Sequence, residues 1–356
     1  MPITTQNLRV TQMQQLTTPE ELRERHPLSD AATQTVQAGR AAIQRILSGE
    51  DDRVIAITGP CSIHDPKAAI EYARQLQALR VECADTLEIV MRVYFEKPRT
   101  IGGWKGLIND PGMDGSFRIN EGLEAARKLL LEINEMGLPV ATEFLDTAVP
   151  QYVADLVSWA AIGARTTESQ IHREMASGLS CPVGFKNGTR GNVQIALDAV
   201  RSSAQPHHFM GLAENGQGAI VATDGNPDCH VILRGGEGTN YDAASVDSCC
   251  YLAQKDGIRP QVMIDASHAN SGKDPMKQPE VLENIGDQIA RGDHRIMGVM
   301  IESHLVAGAQ KLGTEPLTYG QSITDGCLGW EDTRVCLRDL ARNVGARRSA
   351  SLQQAS

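Results

Sequence analysis

No apolar run in this sequence approaches the roughly 20 residues needed to cross a bilayer, and the opening MPITTQNLRVTQMQQ lacks the apolar core of a secretion signal. Both absences predict a cytoplasmic protein with no membrane partner. Basic charge is also short: 34 Lys and Arg against 44 Asp and Glu leave a formal net charge of -10. That balance argues against nucleic acid and anionic membrane, since either would want a basic face. The 8 cysteines include no CxxC pair and lack the tight spacing of a disulfide framework, so most are expected to be reduced thiols. No internal repeat with a recoverable motif is present. What remains is a chain of 356 residues, 41% hydrophobic, long for one domain but ordinary for a barrel with extensions.

Eight short apolar runs, flanked by Gly or Pro, alternate with longer stretches of helical period. They are Val54 to Thr58, Ile89 to Met91, Val140 to Thr142, Ala160 to Ala164, Pro182 to Phe185, Val231 to Leu233, Val262 to Ile264 and Met297 to Ile301. This alternation predicts an α/β fold, a (β/α)8 TIM barrel, whose chemistry sits at the carboxyl ends of the strands. The runs end on polar groups: Cys61, Arg92, Glu143, Arg165, Lys186, Arg234, the stretch Asp265-Ala-Ser-His268, and Glu302-Ser-His304.

Residues 1–50 read as an extension ahead of the barrel, with a helix over Asp30 to Leu47 carrying Ala31, Val36, Ala41, Ile43 and Ile46. Residues 51–345 make the catalytic barrel. Between Ala204 and Pro227 the period breaks into His208 to Leu212 and Ala219 to Thr223, joined by Glu214-Asn-Gly-Gln-Gly218, which predicts an inserted β-hairpin. Residues 346–356 are polar and small and are expected to form a frayed tail.

Arg92, Lys97, Arg99, Lys105, Arg165, Lys186 and Arg234 are more charge than one phosphomonoester requires, and the guanidinium fork matches both phosphate and carboxylate. Any one of them could be a simple salt bridge in an acidic protein; seven together point to two anionic substrates, or to one bis-anion and a phosphate. A second constellation, Cys61, His268, Glu302 and Asp325, mixes a thiol, an imidazole and carboxylates. Such a set suits Mn²⁺, Fe²⁺, Co²⁺ or Zn²⁺ better than Mg²⁺ or Ca²⁺. His64, His172 and His304 compete with it as ligands, and a lone His or Cys is more often packed core.

The stretches Gly59-Pro-Cys-Ser-Ile-His-Asp65, Met91-Arg-Val-Tyr-Phe-Glu-Lys-Pro-Arg-Thr100, Gly163-Ala-Arg-Thr-Thr-Glu-Ser169, Pro182-Val-Gly-Phe-Lys-Asn-Gly-Thr189, Ile232-Leu-Arg-Gly-Gly236 and Tyr319-Gly-Gln-Ser-Ile-Thr-Asp-Gly-Cys-Leu-Gly-Trp330 closely resemble class I, microbial, feedback-regulated 3-deoxy-D-arabino-heptulosonate 7-phosphate (DAHP) synthases. The resemblance runs from about Thr18 to Asn343. It implies metal-dependent condensation of phosphoenolpyruvate with D-erythrose 4-phosphate, the first step of the shikimate pathway to the aromatic amino acids. Carried onto this sequence, it implies metal ligation by Cys61, His268, Glu302 and Asp325. Phosphoenolpyruvate is implied at Arg92, Lys97, Arg165, Lys186 and Arg234, and erythrose 4-phosphate at Lys97, Pro98, Arg99 and Thr100, with Lys105 nearby. Glu143 and Lys186 are implied for the protons of the added water, with Lys97 and Asp325 also in the reacting zone.

The resemblance further implies a homodimer or homotetramer and feedback inhibition by an aromatic amino acid, at a pocket near Pro150, Gln151, Leu179, Ser180, Phe209 and Val221. The effector stays open among Tyr, Phe and Trp, with a slight lean to Tyr. Two residues depart from the family's habit: Gly102 stands where a β-branched residue is usual, and Arg190 where Asp is common. The rival readings are an octulosonate 8-phosphate synthase acting on arabinose 5-phosphate, which Lys97-Pro98-Arg99-Thr100 and the extension disfavour, and a silent regulatory subunit, which the full set of expected ligands disfavours.

Overall fold

Eight parallel strands close into a barrel in the computed structural model, which describes residues 5–313 and 316–354. They are β1 Val54–Gly59, β2 Leu87–Arg92, β3 Val140–Glu143, β4 Trp159–Ile162, β5 Val183–Lys186, β6 Cys229–Leu233, β7 Val262–Asp265 and β8 Ile296–Glu302. Each strand pairs with its neighbours in chain order, and β8 closes onto β1 with Ile55 opposite Gly298 and Thr58 opposite Ile301. Helices such as Pro66–Glu82, Ile119–Glu135, Gln194–Ser203, Ala243–Lys255 and Gln278–Ala290 make the crossovers. This is the expected (β/α)8 barrel.

Strands buried on both faces read as unbroken apolar runs, which is why the runs stood out. Their alternate residues nevertheless serve two cores. Ile55, Ile57, Val90, Ala141, Trp159, Ala161, Ile232, Met263 and Met300 form one cluster inside the barrel. Val54, Ala56, Leu87, Ile89 and Met91 belong to the other, with helix residues Leu76, Leu130 and Ile133. Continuing the inward parity by two residues per step carries Gly59, Arg92, Glu143, Lys186, Asp265 and Glu302 to the carboxyl mouth. Polar groups thus complete an apolar barrel on one rim.

The other rim is stopped by the extension. Its helix Asp30–Ser48, capped by Ser29 Oγ accepting from the Ala32 N–H at 3.3 Å, adds Ile43, Ile46 and Leu47 to the inner cluster. Leu47 O accepts from Gln261 Nε2 at 3.0 Å, next to the start of β7. Ahead of it, helix Pro19–Arg25 begins in a capping box between Thr18 and Glu21 and leans on the hairpin, where Arg23 pairs with Glu214 at 3.0 Å. The hairpin strands His207–Leu212 and Gly218–Thr223 are antiparallel, with Phe209 opposite Val221.

Two departures from the sequence reading have a visible local cause. The fourth run was expected to reach Ala164, but β4 ends at Ile162 because the Thr166 and Thr167 N–H groups both fold back onto Gly163 O at 3.0 Å. The tail expected to fray instead continues helix Trp330–Gln354. Its Ala, Arg, Leu and Gln are good helix formers. Arg347 is buried, and Arg348 reaches Asp52 at 2.6 Å and Asp85 at 2.8 Å. Residues 1–4 of the expected extension and 355–356 of the expected tail lie outside the described residues. No helix among the described residues is long and apolar enough to cross a membrane, and all 8 cysteines are buried free thiols.

Candidate active site

A cavity of about 120 Å³ at the carboxyl mouth is lined by Arg92, Lys97, Pro98, Arg99, Glu143, Arg165, Lys186, Arg234, His268, Lys273 and Asp325, together with the backbone of 163–166 and Thr189. A larger cavity, about 810 Å³, opens at the opposite rim beside Leu47, Asp228, Arg259 and Gln261. Size does not locate the chemistry here; convergence of cations does. Among the described residues, no carboxylate pairs with Arg99, Arg165 or Arg234. Arg99 Nε donates to Trp104 O at 2.8 Å, and Arg234 Nη1 donates to Gly235 O at 3.5 Å. Both side chains are steered by neutral acceptors and keep their charge for an anion.

Three of the other four cations are already engaged. Arg92 is 1% exposed; its guanidinium lies 3.5 Å over the Tyr94 ring, donates to Pro60 O at 3.0 Å and Cys61 O at 3.2 Å, and pairs with Glu302 Oε1 at 2.8 Å. Lys97 Nζ donates to Cys61 Sγ at 3.0 Å. Lys186 Nζ pairs with Asp265 Oδ2 at 2.9 Å. These three hold the metal-side donors and the mouth in one charged network. Thr100 and Lys105 are exposed and do not line the cavity; Lys105 Nζ stands 6.0 Å from the Phe117 ring centre.

Glycine makes room at two places. A Cβ at Gly59 would sit 2.5 Å from Arg92 O, so only Gly lets the chain turn into the buried Cys61. A Cβ at Gly163 would sit 2.5 Å from Glu143 Oε1, so Gly163 leaves the carboxylate free to face the cavity. Beside Lys97, the Glu96 carboxyl accepts from the Leu145 and Asp146 N–H groups at 3.2 and 3.1 Å, tying the loop after β2 to the loop after β3. Burial pushes its pKa up to about 8 against those bonds.

Ligand atoms of Cys61, Glu302 and Asp325 all lie within 4.8 Å of one another. His268 stands at their edge, with Nε2 3.9 Å from Glu302 Oε1. A thiol, an imidazole and two carboxylates at this spacing fit a borderline divalent cation. Burial raises the Cys61 pKa and the Glu302 charge raises it further, which outweighs the pull of Lys97. The thiol therefore has to lose a proton when it binds metal. Burial also raises the Asp325 carboxyl, but Lys97, His268, Lys273 and Arg92 outweigh it and hold the group below the usual carboxylate range. The three competing histidines are placed elsewhere: His172 is held by Ser169 Oγ and Leu145 O at 2.9 and 2.8 Å, while His64 and His304 are buried against each other, ring centres 6.3 Å apart.

Sequence reasoning placed Asp265 at a strand end without giving it a role, and it passed over Lys273. Asp265 was legible: it follows Met263 by two residues on the inward face of β7. Lys273 was not, because it reaches the cavity from a loop closed by its own N–H to His268 O at 2.7 Å, with both residues at positive φ (64° and 56°). Of the two departures, Gly102 has open space around its Cα, and Arg190 is solvated, 4.0 Å from Glu237.

Pro150, Gln151, Leu179 and Ser180 line a separate cavity of about 390 Å³, whose far wall is Arg23, Leu28, Val36 and Arg40 of the extension. Phe209 and Val221 do not line it; they face each other across the hairpin. The hairpin approaches through Thr223, whose Oγ1 is 2.6 Å from Ser177 Oγ.

Residues 27–338 match the profile of the DAHP synthetase I family. The chain is 59% identical over 343 residues to the Phe-sensitive phospho-2-dehydro-3-deoxyheptonate aldolase of Escherichia coli K12, covering 96% of this chain and 98% of that one. It is 54% identical over 344 residues to the Trp-sensitive enzyme of the same strain, covering 96% and 99%. A solved phospho-2-dehydro-3-deoxyheptonate aldolase from Francisella tularensis SCHU S4 superposes with a TM-score of 0.94 at 52% identity, covering 95% of this chain and 99% of that one. The chain therefore belongs to the DAHP synthetase I family and is an enzyme that forms carbon–carbon bonds.

Proposed function

We propose that the enzyme joins phosphoenolpyruvate to D-erythrose 4-phosphate with a divalent metal, giving DAHP and phosphate, and that the barrel of residues 51–345 does this. The supporting observation is the cavity's charge: three guanidinium groups with no carboxylate partner among the described residues, plus Lys97, Lys186 and Lys273, face one small space. Two phosphates and a carboxylate repel one another when held together, and such a lining offsets that repulsion. Arg165, Arg234 and Lys186 hold phosphoenolpyruvate, while Arg99 and Lys97 with Pro98 hold the acceptor phosphate. A metal at Cys61, His268, Glu302 and Asp325 supplies Lewis acidity to the aldehyde carbonyl.

The new bond runs from the vinyl carbon of phosphoenolpyruvate to the aldehyde carbon, and positive charge develops at C2. Water adds at C2 with one proton passing to Glu143, the former aldehyde oxygen takes up a proton to become a hydroxyl, and phosphate departs by C–O cleavage as the added oxygen gives up its second proton and becomes the C2 carbonyl. Lys186, an ammonium paired with Asp265, is the donor rather than the acceptor in this pair. Product formation with erythrose 4-phosphate and little with arabinose 5-phosphate supports the assignment; preference for arabinose 5-phosphate would transfer it to the octulosonate reaction.

The division of cations predicts opposite selectivities. Arg165→Ala is expected to raise KM for phosphoenolpyruvate roughly ten- to a hundredfold, the weight of about 1.5 to 3 kcal/mol for a charge-assisted bond, and to leave KM for erythrose 4-phosphate nearly unchanged. Arg99→Ala should do the reverse. Equal effects on both substrates from both variants would show that the two anion sites are not separate.

The cavity between Pro150, Gln151, Leu179, Ser180 and the extension is proposed as the site of an aromatic amino acid. Of the three sensitivities named among the relatives, the Phe-sensitive enzyme, at 59% identity, is more similar than the Trp-sensitive at 54% and the Tyr-sensitive at 52%, so Phe is the expected effector in place of the lean to Tyr. Deleting residues 1–15 should keep catalysis and remove most inhibition, because the catalytic groups all follow Gly59. Titrating Phe, Tyr and Trp against both forms, with light scattering to follow the dimer or tetramer, decides it. Unchanged inhibition of an intact truncated oligomer would sink this role for the extension. A cytoplasmic location accords with eight free thiols.

A further inference from the structure

We propose that Asp265 is a positioning residue that couples the metal site to the phosphoenolpyruvate site. The inference rests on the functional reading above and adds a residue to which that reading gives no part. Asp265 ends β7 on its inward face and is 0% exposed. One of its oxygens serves both halves of the mouth: Oδ2 lies 2.9 Å from Lys186 Nζ and 2.8 Å from His268 Nδ1. The other, Oδ1, accepts from the Ser267 N–H at 3.0 Å and from Ser267 Oγ at 2.6 Å.

These contacts assign the histidine tautomer. Ser267 Oγ also lies 2.7 Å from His268 Nδ1. Since Ser267 Oγ gives its own proton to Asp265 Oδ1, it can only accept from Nδ1, and a carboxylate oxygen can only accept as well. Nδ1 therefore carries the proton, and the Nε2 lone pair is left to point at the metal donors, 3.9 Å from Glu302 Oε1. A carboxylate behind a ligating imidazole fixes the ring and raises its basicity, and removing such a partner typically costs roughly 10- to 100-fold in metal affinity.

The same Oδ2 is the counter-charge of Lys186. A cation held at Nε2 would draw electron density through the ring and strengthen the attraction of the Nδ1 side for Oδ2, 2.8 Å away. That would loosen the hold of Oδ2 on the ammonium and leave Lys186 freer for an incoming anion. Coupling of this kind is reciprocal, so the anion must strengthen metal binding by the factor by which the metal strengthens anion binding.

The test is calorimetric titration of the full-length metal-stripped protein with Mn²⁺, and with phosphoenolpyruvate in the presence and absence of Mn²⁺. The wild type is expected to bind phosphoenolpyruvate at least about fivefold more tightly with Mn²⁺ present. Asp265→Asn should bind Mn²⁺ about 10- to 100-fold more weakly and lose most of that dependence. A folded Asp265→Asn protein with wild-type Mn²⁺ affinity and undiminished coupling overturns the proposal. Should Asp265→Asn fail to fold, Lys186→Gln reports from the other side: Mn²⁺ binding stays and the Mn²⁺ dependence of phosphoenolpyruvate binding vanishes, while persistence of that dependence overturns the proposal. A wild type that binds Mn²⁺ but no phosphoenolpyruvate would instead defeat the functional reading and the coupling with it, leaving the imidazole-orienting role to be judged by the Mn²⁺ affinities alone.

Discussion

Cys61→Ser is expected to lower kcat/KM by a hundredfold or more, on the order of 3 kcal/mol of transition-state stabilisation, while the protein stays folded. The thiol is fully buried, 3.0 Å from Lys97 Nζ, 3.8 Å from Asp325 Oδ2, and part of the one Cys, Glu and Asp group that converges among the described residues. A serine hydroxyl occupies nearly the same volume and still accepts from Lys97, so packing and the local hydrogen bond survive. What it cannot do is present a soft anionic donor, because a hydroxyl does not ionise here and is a far poorer ligand than thiolate. Metal content after dialysis should fall with activity, and the far-ultraviolet circular dichroism should not change. A serine variant with more than half of wild-type activity would remove Cys61 from the metal site.

Arg92→Ala should do damage of a different kind, and more of it than a substrate contact alone would cause. Its guanidinium is 1% exposed and pairs with Glu302, itself 2% exposed. Truncation leaves that carboxylate buried beside Cys61 with its guanidinium partner gone. Breaking one side of a buried ion pair costs about 3 to 5 kcal/mol of folding stability. The same change removes the cation stacked on Tyr94 and two donors to the carbonyls of Pro60 and Cys61. Urea unfolding should therefore report lost stability together with weakened phosphoenolpyruvate and metal binding. Arg92→Lys, which keeps the charge but not the fork, should recover part of the stability and less of the binding. A fully stable Arg92→Ala protein whose only defect is KM for phosphoenolpyruvate would return Arg92 to the role of a plain substrate contact.

The strands were legible because a parallel barrel buries both faces of every strand, which leaves short apolar runs that no surface helix imitates. Their polar ends were legible for the same reason, since the inward parity that places Met263 in the core also places Asp265 at the rim. Two residues carried by loops were misjudged. Nothing about Lys273 marks it in the chain; its approach depends on a backbone closure from residue 273 to residue 268. Lys105 counted among seven cations, yet it projects beside Phe117, because a loop turn and not a strand period sets its direction. The difference between Arg92 and Arg99 was likewise invisible. Both follow the second apolar run in sequence, and only packing shows that one is spent on Glu302 while the other is steered by a carbonyl and left for a ligand. Phe209 and Val221 fell short of the 390 Å³ cavity because their register points them at each other.

On the proposed reading, a metal held by Cys61, His268, Glu302 and Asp325 and an anion cradle built on Arg99, Arg165, Lys186 and Arg234 together perform one condensation. Stripping the protein with a chelator and following DAHP and phosphate formation from phosphoenolpyruvate and erythrose 4-phosphate as Mn²⁺ or Co²⁺ is restored tests this. No turnover is expected in the stripped protein, with recovery at about one equivalent of metal and equal yields of DAHP and phosphate. Full turnover by metal-free protein, or phosphate release without DAHP, would contradict this reading.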